Sequence, residues 1–348
     1  MPGSTPLTTF GLRLRIAVFR PARANESAMP FPMTPEPATN TAIVLSDMLV
    51  SLNRLLFPDN PIGPPLSPTD VLRFAPSPTG PLHLGNGFSA LYSFAAAWRL
   101  GGRFLLRVED IDQTRCRPDH EAAMLADLAW LGLTWEEPVR RQSEHMADYA
   151  TALETLADAG LSYPCFCTRK EIVREIAAAP TAPHGPDGVL YPGTCRQLGQ
   201  AEREDRIAAG APYAIRLDSN LAAQRAGPDL HWRDEQQGVQ ELQPKMHGDV
   251  VLARKDTPTS YHLAVVVDDA LQGITKVTRG ADLFAATHVH RLLQALLSLP
   301  TPAYDHHRLL RDDGGTRLAK RHGAVSLAQL RDEGQDPTAL RRTLELEW

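Results

Sequence analysis

The order of apolar and polar positions predicts alternating strands and helices from residue 71 onwards. Short apolar runs behave as buried strands, and each is followed by a segment with apolar residues at helical spacing. The elements are predicted, in chain order, as a strand at 71–75, a helix at 85–100, a strand at 103–108 and helices at about 119–131 and 143–159. Alternation of strand and helix is typical of an α/β protein with a doubly wound parallel sheet.

Residues 165–245 interrupt this pattern. They contain three of the four cysteines, a segment rich in Pro and Gly at 179–192, and polar stretches, which together indicate an insertion. Apolar order returns at 249–252, 261–267 and 274–278, before a predicted helix at about 282–297. The second half of the sheet is therefore expected after the insertion.

The first 70 residues hold 12 of the 29 prolines, so we expect a disordered extension there. Arginines interrupt the apolar residues near the start, unlike a secretory signal, and no apolar run reaches the length of a membrane span. A cytoplasmic location is expected. The predicted divisions are 1–70 (extension), 71–160 (first half of the α/β domain), 161–245 (insertion), 246–300 (second half of that domain) and 301–348 (a loop and short tail).

Composition sets limits on function. With 43% hydrophobic and 22% charged residues, the 348-residue chain resembles an ordinary globular protein. The net charge of −5 argues against a generally basic nucleic-acid binder, so any such surface must be local. Four cysteines do not make a disulfide framework.

The segment 73–86, RFAPSPTGPLHLGN, carries the first chemical signal. A strand ends here, a Pro/Gly turn follows, and His83 and Gly85 stand where the next helix begins. A helix N-terminus offers free N–H groups and a positive dipole end, which suit a phosphate. No Walker-type loop is present, so a phosphate would have to bind by this route. The alternative is a tight turn in which the His only caps the helix.

The cysteines suggest a metal site. Between the Cys165–Cys167 pair and Cys195 there are 27 residues, and a tetrahedral zinc site needs one ligand more than these three. From the residues alone, His184 is the candidate for the fourth ligand. The alternative is a set of reduced cysteines without metal. Cys116 lies apart and is expected to be incidental.

Several segments together resemble the class I aminoacyl-tRNA synthetases of the glutamyl subgroup, whose HIGH signature is similar to residues 83–86. Further segments that resemble this subgroup are 107–115, 141–144, 259–269, 277–280 and, at the position of the KMSKS signature, 317–321. The resemblance implies a Rossmann-like fold that activates glutamate with ATP, accompanied by Mg²⁺. It departs from the family at Arg317 and Ala319, where lysine and serine are usual, but keeps Lys320.

The resemblance also implies roles for single residues. His83 and Lys320 would be catalytic, because adenylation depends on positioning and on neutralising phosphate charge. Glutamate would be bound by Arg73, Phe74, Ala75, Pro76, Ser77, Glu109, Tyr261 and Arg279, and ATP by His83, Gly85, Asn86 and Lys320. Two arginines at strand ends facing one crevice suit a side-chain carboxylate. For the zinc site, the resemblance favours Tyr191, giving Cys165, Cys167, Tyr191 and Cys195.

Because 28 residues follow Lys320, we expect no anticodon-binding domain of the kind that a complete glutamyl-tRNA synthetase carries. In this it resembles the glutamyl-queuosine tRNA(Asp) synthetase family, which activates glutamate without tRNA and transfers it to the queuosine base in the anticodon loop of tRNA(Asp). Arginines 140, 141, 341 and 342 could contact RNA phosphates or form solvated faces. The alternatives are a truncated enzyme that charges the 3′ end of tRNA(Glu), a glutaminyl relative, disfavoured by Arg279, and a non-catalytic RNA-binding paralogue.

Overall fold

The computed structural model describes residues 70–177, 184–186, 188–311, 325–344 and 346, with only the backbone given at 176, 177, 184, 185, 188 and 189. The predicted N-terminal extension and the KMSKS-like segment around Lys320 lie outside these residues. None of the described helices has the length and apolar character needed to cross a membrane.

Strands and helices alternate in the first part of the described chain, as predicted. The elements are β1 (Val71–Phe74), α1 (Leu84–Arg99), β2 (Arg103–Val108), α2 (Pro118–Trp130), β3 (Glu136–Arg141) and α3 (Met146–Asp158). β1, β2 and β3 form a parallel sheet in that order, with Leu72 opposite Phe104. The α/β class is therefore confirmed, whereas β3 was not predicted.

The inserted part is built from short elements. These are β4 (Ser162–Cys165), α4 (Arg169–Ala177), β5 (His184–Gly185), β6 (Gly188–Val189), α5 (Gln200–Ala208), β7 (Ala214–Leu217), α6 (Ser219–Ala226), β8 (His231–Asp234) and β9 (Gly238–Glu241). A 3₁₀ turn, Thr194–Gln197, carries Cys195. β4 and β7 pair antiparallel, and β7 also pairs with a later strand, so the insertion is tied to the rest of the fold by backbone hydrogen bonds.

The second half of the fold follows. Its elements are β10 (Val251–Ala253), α7 (Tyr261–Leu271), β11 (Lys276–Gly280), α8 (Ala286–Leu296), β12 (Ala303–His307), α9 (Leu327–Asp332) and α10 (Pro337–Thr343). β11, β12 and β8 are parallel neighbours, and β9 is antiparallel to β8 at the edge. Val71 accepts a hydrogen bond of 3.0 Å from the backbone N–H of Thr275, so β11 starts beside β1. The predicted domain divisions remain predictions.

The two largest apolar clusters of the described residues pack on the sheets. One joins β1, β2, α1 and α2 with the C-terminal α9, and the other joins α3, α7 and α8. Leu327 of α9 is fully buried, and a Cβ at Gly87 of α1 would lie only 3.1 Å from its side chain. The absence of a side chain at Gly87 therefore allows α9 to pack closely on α1, and burying such a leucine stabilises the fold by about 1.5–3 kcal/mol.

Candidate active site

The carboxyl ends of β1, β2, β11 and β12 border one cleft of about 580 Å³. Ligands bind at this edge of doubly wound sheets because the loops after the strands leave a crevice there. The cleft is lined by eleven of the predicted site residues, namely Arg73, Phe74, Ala75, Pro76, Ser77, His83, Gly85, Asn86, Glu109, Tyr261 and Arg279. Lys320, the twelfth residue predicted for catalysis or substrate binding, lies outside the described residues.

His83 caps the first turn of α1. Its Nδ1 accepts hydrogen bonds from the backbone N–H groups of Gly85 (3.1 Å) and Asn86 (3.3 Å), and Asn86 Oδ1 accepts the N–H of His83 (3.2 Å). The N–H groups of Gly85 and Asn86 are therefore bonded to the His83 cap and are not free, whereas the role of His83 in binding phosphate stays a prediction. Because Nδ1 is an acceptor, the ring proton is assigned to Nε2.

Arg73 is held by a carboxylate of the protein itself. Its Nε and Nη2 donate to the two oxygens of Asp269 at 2.9 and 3.2 Å, so the pair is bidentate. Fully buried Arg107 also donates to Asp269, at 2.8 Å, and to Glu109, at 3.2 Å. Burial raises the pKa of the Asp269 carboxyl, but the two guanidinium groups outweigh it and hold that pKa below its ordinary value. Asp269 therefore fixes Arg73 at the wall of the cleft.

Glu109 lies just after β2 and is 9% exposed. Burial raises its pKa above the ordinary glutamate value, although Arg107 and Arg73 act in the opposite direction. Burial disfavours the ionised form of this carboxyl, and a cation bound beside it would stabilise that form. The structure therefore provides an acidic position in the cleft that suits an ammonium group.

Arg279, at the end of β11, has a different environment from Arg73. It is 5% exposed, and its donors contact His306 Nε2 (3.1 Å), His290 Nδ1 (3.0 Å) and Thr287 Oγ1 (2.7 Å). Burial holds the pKa of both imidazoles below the ordinary histidine value, well below it for His290. Among the described residues no carboxylate pairs with Arg279, so its positive charge faces the cleft uncompensated.

Sequence reasoning missed the residues that orient these two arginines. Asp269 is the last residue of the segment 259–269 that resembles the family, so the resemblance could have identified it as a site residue. Asp234, His290 and His306 carried no signal of their own. They join Arg279 only through the packing of β8, α8 and β12.

The three predicted cysteine ligands come together. The Sγ atoms of Cys165, Cys167 and Cys195 all lie within 4.8 Å of one another. Tyr191 Oη is 3.5 Å from Cys167 Sγ, and the guanidinium of Arg216 stacks on the Tyr191 ring at 4.0 Å. Three sulfurs and a phenol oxygen at this spacing fit a tetrahedral site such as zinc adopts. For His184 only the backbone is described, and Cys116 is not part of this group.

Two arginines considered for RNA contact are engaged within the protein. Arg140 donates to Asp148 (2.6 Å) and Asp268 (2.7 Å), and Arg141 donates to Glu121 (2.8 Å). These ion pairs neutralise both guanidinium groups on the protein side. A role in holding RNA phosphates is therefore not supported for Arg140 or Arg141.

Comparisons with known proteins agree with this geometry. Residues 71–347 match the family described as tRNA synthetases class I (E and Q), catalytic domain. The chain is 50% identical to the glutamyl-Q tRNA(Asp) synthetase of Rhodobacter capsulatus, over 79% of this chain and 100% of that protein. It is 47% identical to the glutamyl-Q tRNA(Asp) synthetase of Nocardia farcinica, over 76% of this chain and 80% of that protein.

Among solved structures, a glutamate tRNA ligase from Elizabethkingia meningosepticum, in complex with its amino acid, superposes with a TM-score of 0.66 at 28% identity. The match covers 80% of this chain and 60% of the ligase, so this chain spans less than two thirds of that enzyme. The predicted resemblance is thereby confirmed. The chain belongs to the glutamyl-Q tRNA(Asp) synthetase family of class I tRNA synthetases.

Proposed function

We propose that the protein activates L-glutamate with ATP, without tRNA, and transfers the glutamyl group to the queuosine base in the anticodon loop of tRNA(Asp). The observation that carries the glutamate assignment is the buried, uncompensated guanidinium of Arg279 at the cleft wall. A side-chain carboxylate would satisfy it, whereas the neutral amide of glutamine would leave a buried charge unpaired. The choice of tRNA is supported by the names of the relatives matched over most of their length.

In the first step, an α-carboxylate oxygen of glutamate attacks the α-phosphorus of ATP. An O–P bond forms, the bond to the β-phosphate bridging oxygen breaks, and pyrophosphate leaves. Arg279 and Tyr261 would hold the side chain, with Arg73 fixed beside them by Asp269, while Glu109 and Ser77 would hold the α-ammonium end. The Nε2–H of His83 would donate to a phosphate oxygen, and Lys320 would neutralise charge that develops on the leaving group.

In the second step, a hydroxyl oxygen of queuosine attacks the glutamyl carbonyl carbon and loses its proton, an ester bond forms, the bond from that carbon to the phosphate oxygen breaks, and AMP leaves. Such a reaction on tRNA belongs in the cytoplasm, where we place the protein. Mg²⁺ bound with ATP would supply additional neutralisation of the phosphates.

We also propose that Cys165, Cys167, Tyr191 and Cys195 hold one structural zinc ion. The spacing of the sulfurs and the adjacent phenol oxygen support this donor set. When bound, the metal would cross-link β4 to the 3₁₀ turn that carries Cys195 and would take no part in the reaction. His184 is the rival for the fourth position.

The function is tested by incubating the protein with labelled glutamate, ATP and tRNA from cells with and without queuosine. We expect pyrophosphate exchange without tRNA, and label on tRNA(Asp) only when queuosine is present. Replacing Arg279 by the uncharged Met should abolish exchange with glutamate, since the substrate carboxylate loses its partner. Charging of tRNA(Glu) would support the truncated glutamyl-tRNA synthetase instead, and the absence of any adenylate would support a non-catalytic paralogue.

A further inference from the structure

Arg279 is held by neutral acceptors that leave its charge available. Its Nε donates to His306 Nε2, its Nη1 to His290 Nδ1 and its Nη2 to Thr287 Oγ1. All four side chains are nearly or fully buried. In Arg73 the equivalent donors are occupied by the Asp269 carboxylate. The two arginines of the cleft are thus held by acceptors of different charge: Arg73 by an anionic carboxylate and Arg279 by uncharged groups.

A carboxylate contacts one of these neutral acceptors on the side away from Arg279. Asp234 Oδ2 lies 2.6 Å from His306 Nδ1, and both side chains are fully buried. The other oxygen of Asp234 accepts the backbone N–H groups of Gln236 (3.0 Å) and Gln237 (2.9 Å). Because an ionised carboxylate only accepts, His306 must carry its proton on Nδ1, and Nε2 keeps a lone pair for Arg279.

The three strands that supply these residues are neighbours. Arg279 is on β11, His306 on β12 and Asp234 on β8, and β11, β12 and β8 adjoin in that order. The line from Asp234 through His306 to Arg279 therefore runs across the sheet towards the cleft. A carboxylate placed directly on Arg279 would neutralise it, while one placed behind a histidine orients it and leaves its charge for a ligand.

We propose that Asp234 and His306 are positioning residues that set the orientation of Arg279 for the side-chain carboxylate of the substrate, a role that rests on the proposed activation of glutamate. Asp234 acts through the tautomer of His306, and His306 acts through its hydrogen bond to Arg279 Nε. Neither Asp234 nor His306 lines the cleft. The pair therefore determines the affinity for glutamate more than the affinity for ATP.

The test begins with Asp234→Asn. An amide offers a donor to His306 Nδ1, so the tautomer protonated on Nε2 becomes populated and opposes the Nε–H of Arg279. We expect KM for glutamate in ATP–pyrophosphate exchange to rise about tenfold or more while KM for ATP stays within about twofold. Asp305→Asn is the matched control, because Asp305 is also buried but its carboxylate accepts from the Tyr92 hydroxyl and the Gln236 side-chain amide rather than from His306. It should lower stability without changing KM for glutamate.

Two variants of His306 separate orientation from packing. His306→Gln keeps a side-chain oxygen able to accept from Arg279, and should hold KM for glutamate within about threefold of the parent. His306→Leu has a similar volume without an acceptor, and should raise KM for glutamate as Asp234→Asn does. If both variants behave alike, packing rather than the hydrogen bond is responsible and the role of His306 is refuted.

A spectroscopic measurement tests the tautomer without depending on activity. In protein labelled with ¹⁵N-histidine, the imidazole signal that disappears in His306→Gln belongs to His306. We expect it to report a neutral ring protonated on Nδ1, and to shift towards the other tautomer in Asp234→Asn. An unchanged signal, or an unchanged KM for glutamate in folded Asp234→Asn, would overturn the inference. If the parent protein does not exchange pyrophosphate with glutamate, the proposed function is refuted. The ¹⁵N signal still tests the effect of Asp234 on the His306 tautomer, because that measurement needs no activity.

Discussion

Replacement of Asp269 by Asn should destabilise the protein severely. Asp269 is 7% exposed and is the one carboxylate among the described residues that pairs with Arg73, at 2.9 and 3.2 Å. It also accepts from Arg107 at 2.8 Å. The isosteric amide would keep the shape of the site but remove the negative charge between two buried guanidinium groups.

The magnitude follows from these contacts. At a separation of about 3 Å and an effective dielectric constant of about 20, one ion pair is worth about 5 kcal/mol of Coulomb energy. The lower desolvation cost of Asn offsets part of this, and Arg107 keeps Glu109 at 3.2 Å and Asp268 at 3.6 Å. The amide oxygen also still accepts from one arginine. Breaking buried pairs of this kind costs about 3–5 kcal/mol, which we expect here for the free energy of unfolding.

Urea unfolding followed by tryptophan fluorescence measures this loss, since the chain has five tryptophans. The matched control is Asp256→Asn, which makes the same chemical change in an exposed pair with Arg254 at 3.2 Å. It should change the unfolding free energy by less than about 1 kcal/mol, because exposed ion pairs contribute little. If Asp269→Asn loses no more than Asp256→Asn, the carboxylate does not hold Arg73 and Arg107 as described.

Three further outcomes are expected. Lys320→Ala should lower ATP–pyrophosphate exchange by about 100-fold or more, because it removes the charge proposed to neutralise the leaving group; unchanged exchange would contradict the role. Metal analysis should find about one zinc per chain in the parent and in His184→Ala but less in Tyr191→Phe, and the reverse pattern would identify His184 as the ligand. Burial lowers the pKa of His290 well below 6.5, so between its folded value and 6.5 the unfolded chain binds a proton that the folded chain does not. Stability should therefore fall as the pH drops through that window, and His290→Gln should flatten the slope of the unfolding free energy by up to about 1.4 kcal/mol per pH unit; an equal slope in both proteins would contradict this.

Hydrophobic pattern and turn residues were enough to predict β1, α1 and β2, because each of these buries a continuous apolar face next to a Pro/Gly turn. The same signal failed for β3. Its residues are Glu136, Glu137, Pro138, Val139, Arg140 and Arg141, and only Val139 is buried. β3 is held in the sheet by its backbone and by the mostly buried pair Arg140–Asp268, whereas the exposed pair Arg103–Glu136 adds little. Such pairs join distant positions and leave no periodic trace in the sequence.

The candidate site divides in the same way. Residues such as Arg73, Glu109 and Tyr261 could be named through the motifs that resemble the family, and the hydrophobic pattern adds only that Arg73 lies in a predicted strand and that Glu109 follows one. The side chains that orient these residues lie far from them in the sequence. Arg73 and Asp269, for example, are separated by 196 positions. Their pairing depends on which strands adjoin, and that order is a property of the tertiary structure.

The consequence is clearest for Arg73 and Arg279, which sequence reasoning treated as equivalent partners of one carboxylate. In the structure, Arg73 already has both oxygens of Asp269, so a substrate carboxylate beside it must share a neutralised charge. Arg279 has only uncharged acceptors among the described residues. Since the cost of leaving a buried charge unpaired is larger than that of losing a shared contact, discrimination between glutamate and its neutral amide should rest mainly on Arg279. An arginine's residue type and its place at a strand end do not reveal this difference, because it is set by whether a carboxylate or a histidine packs behind it.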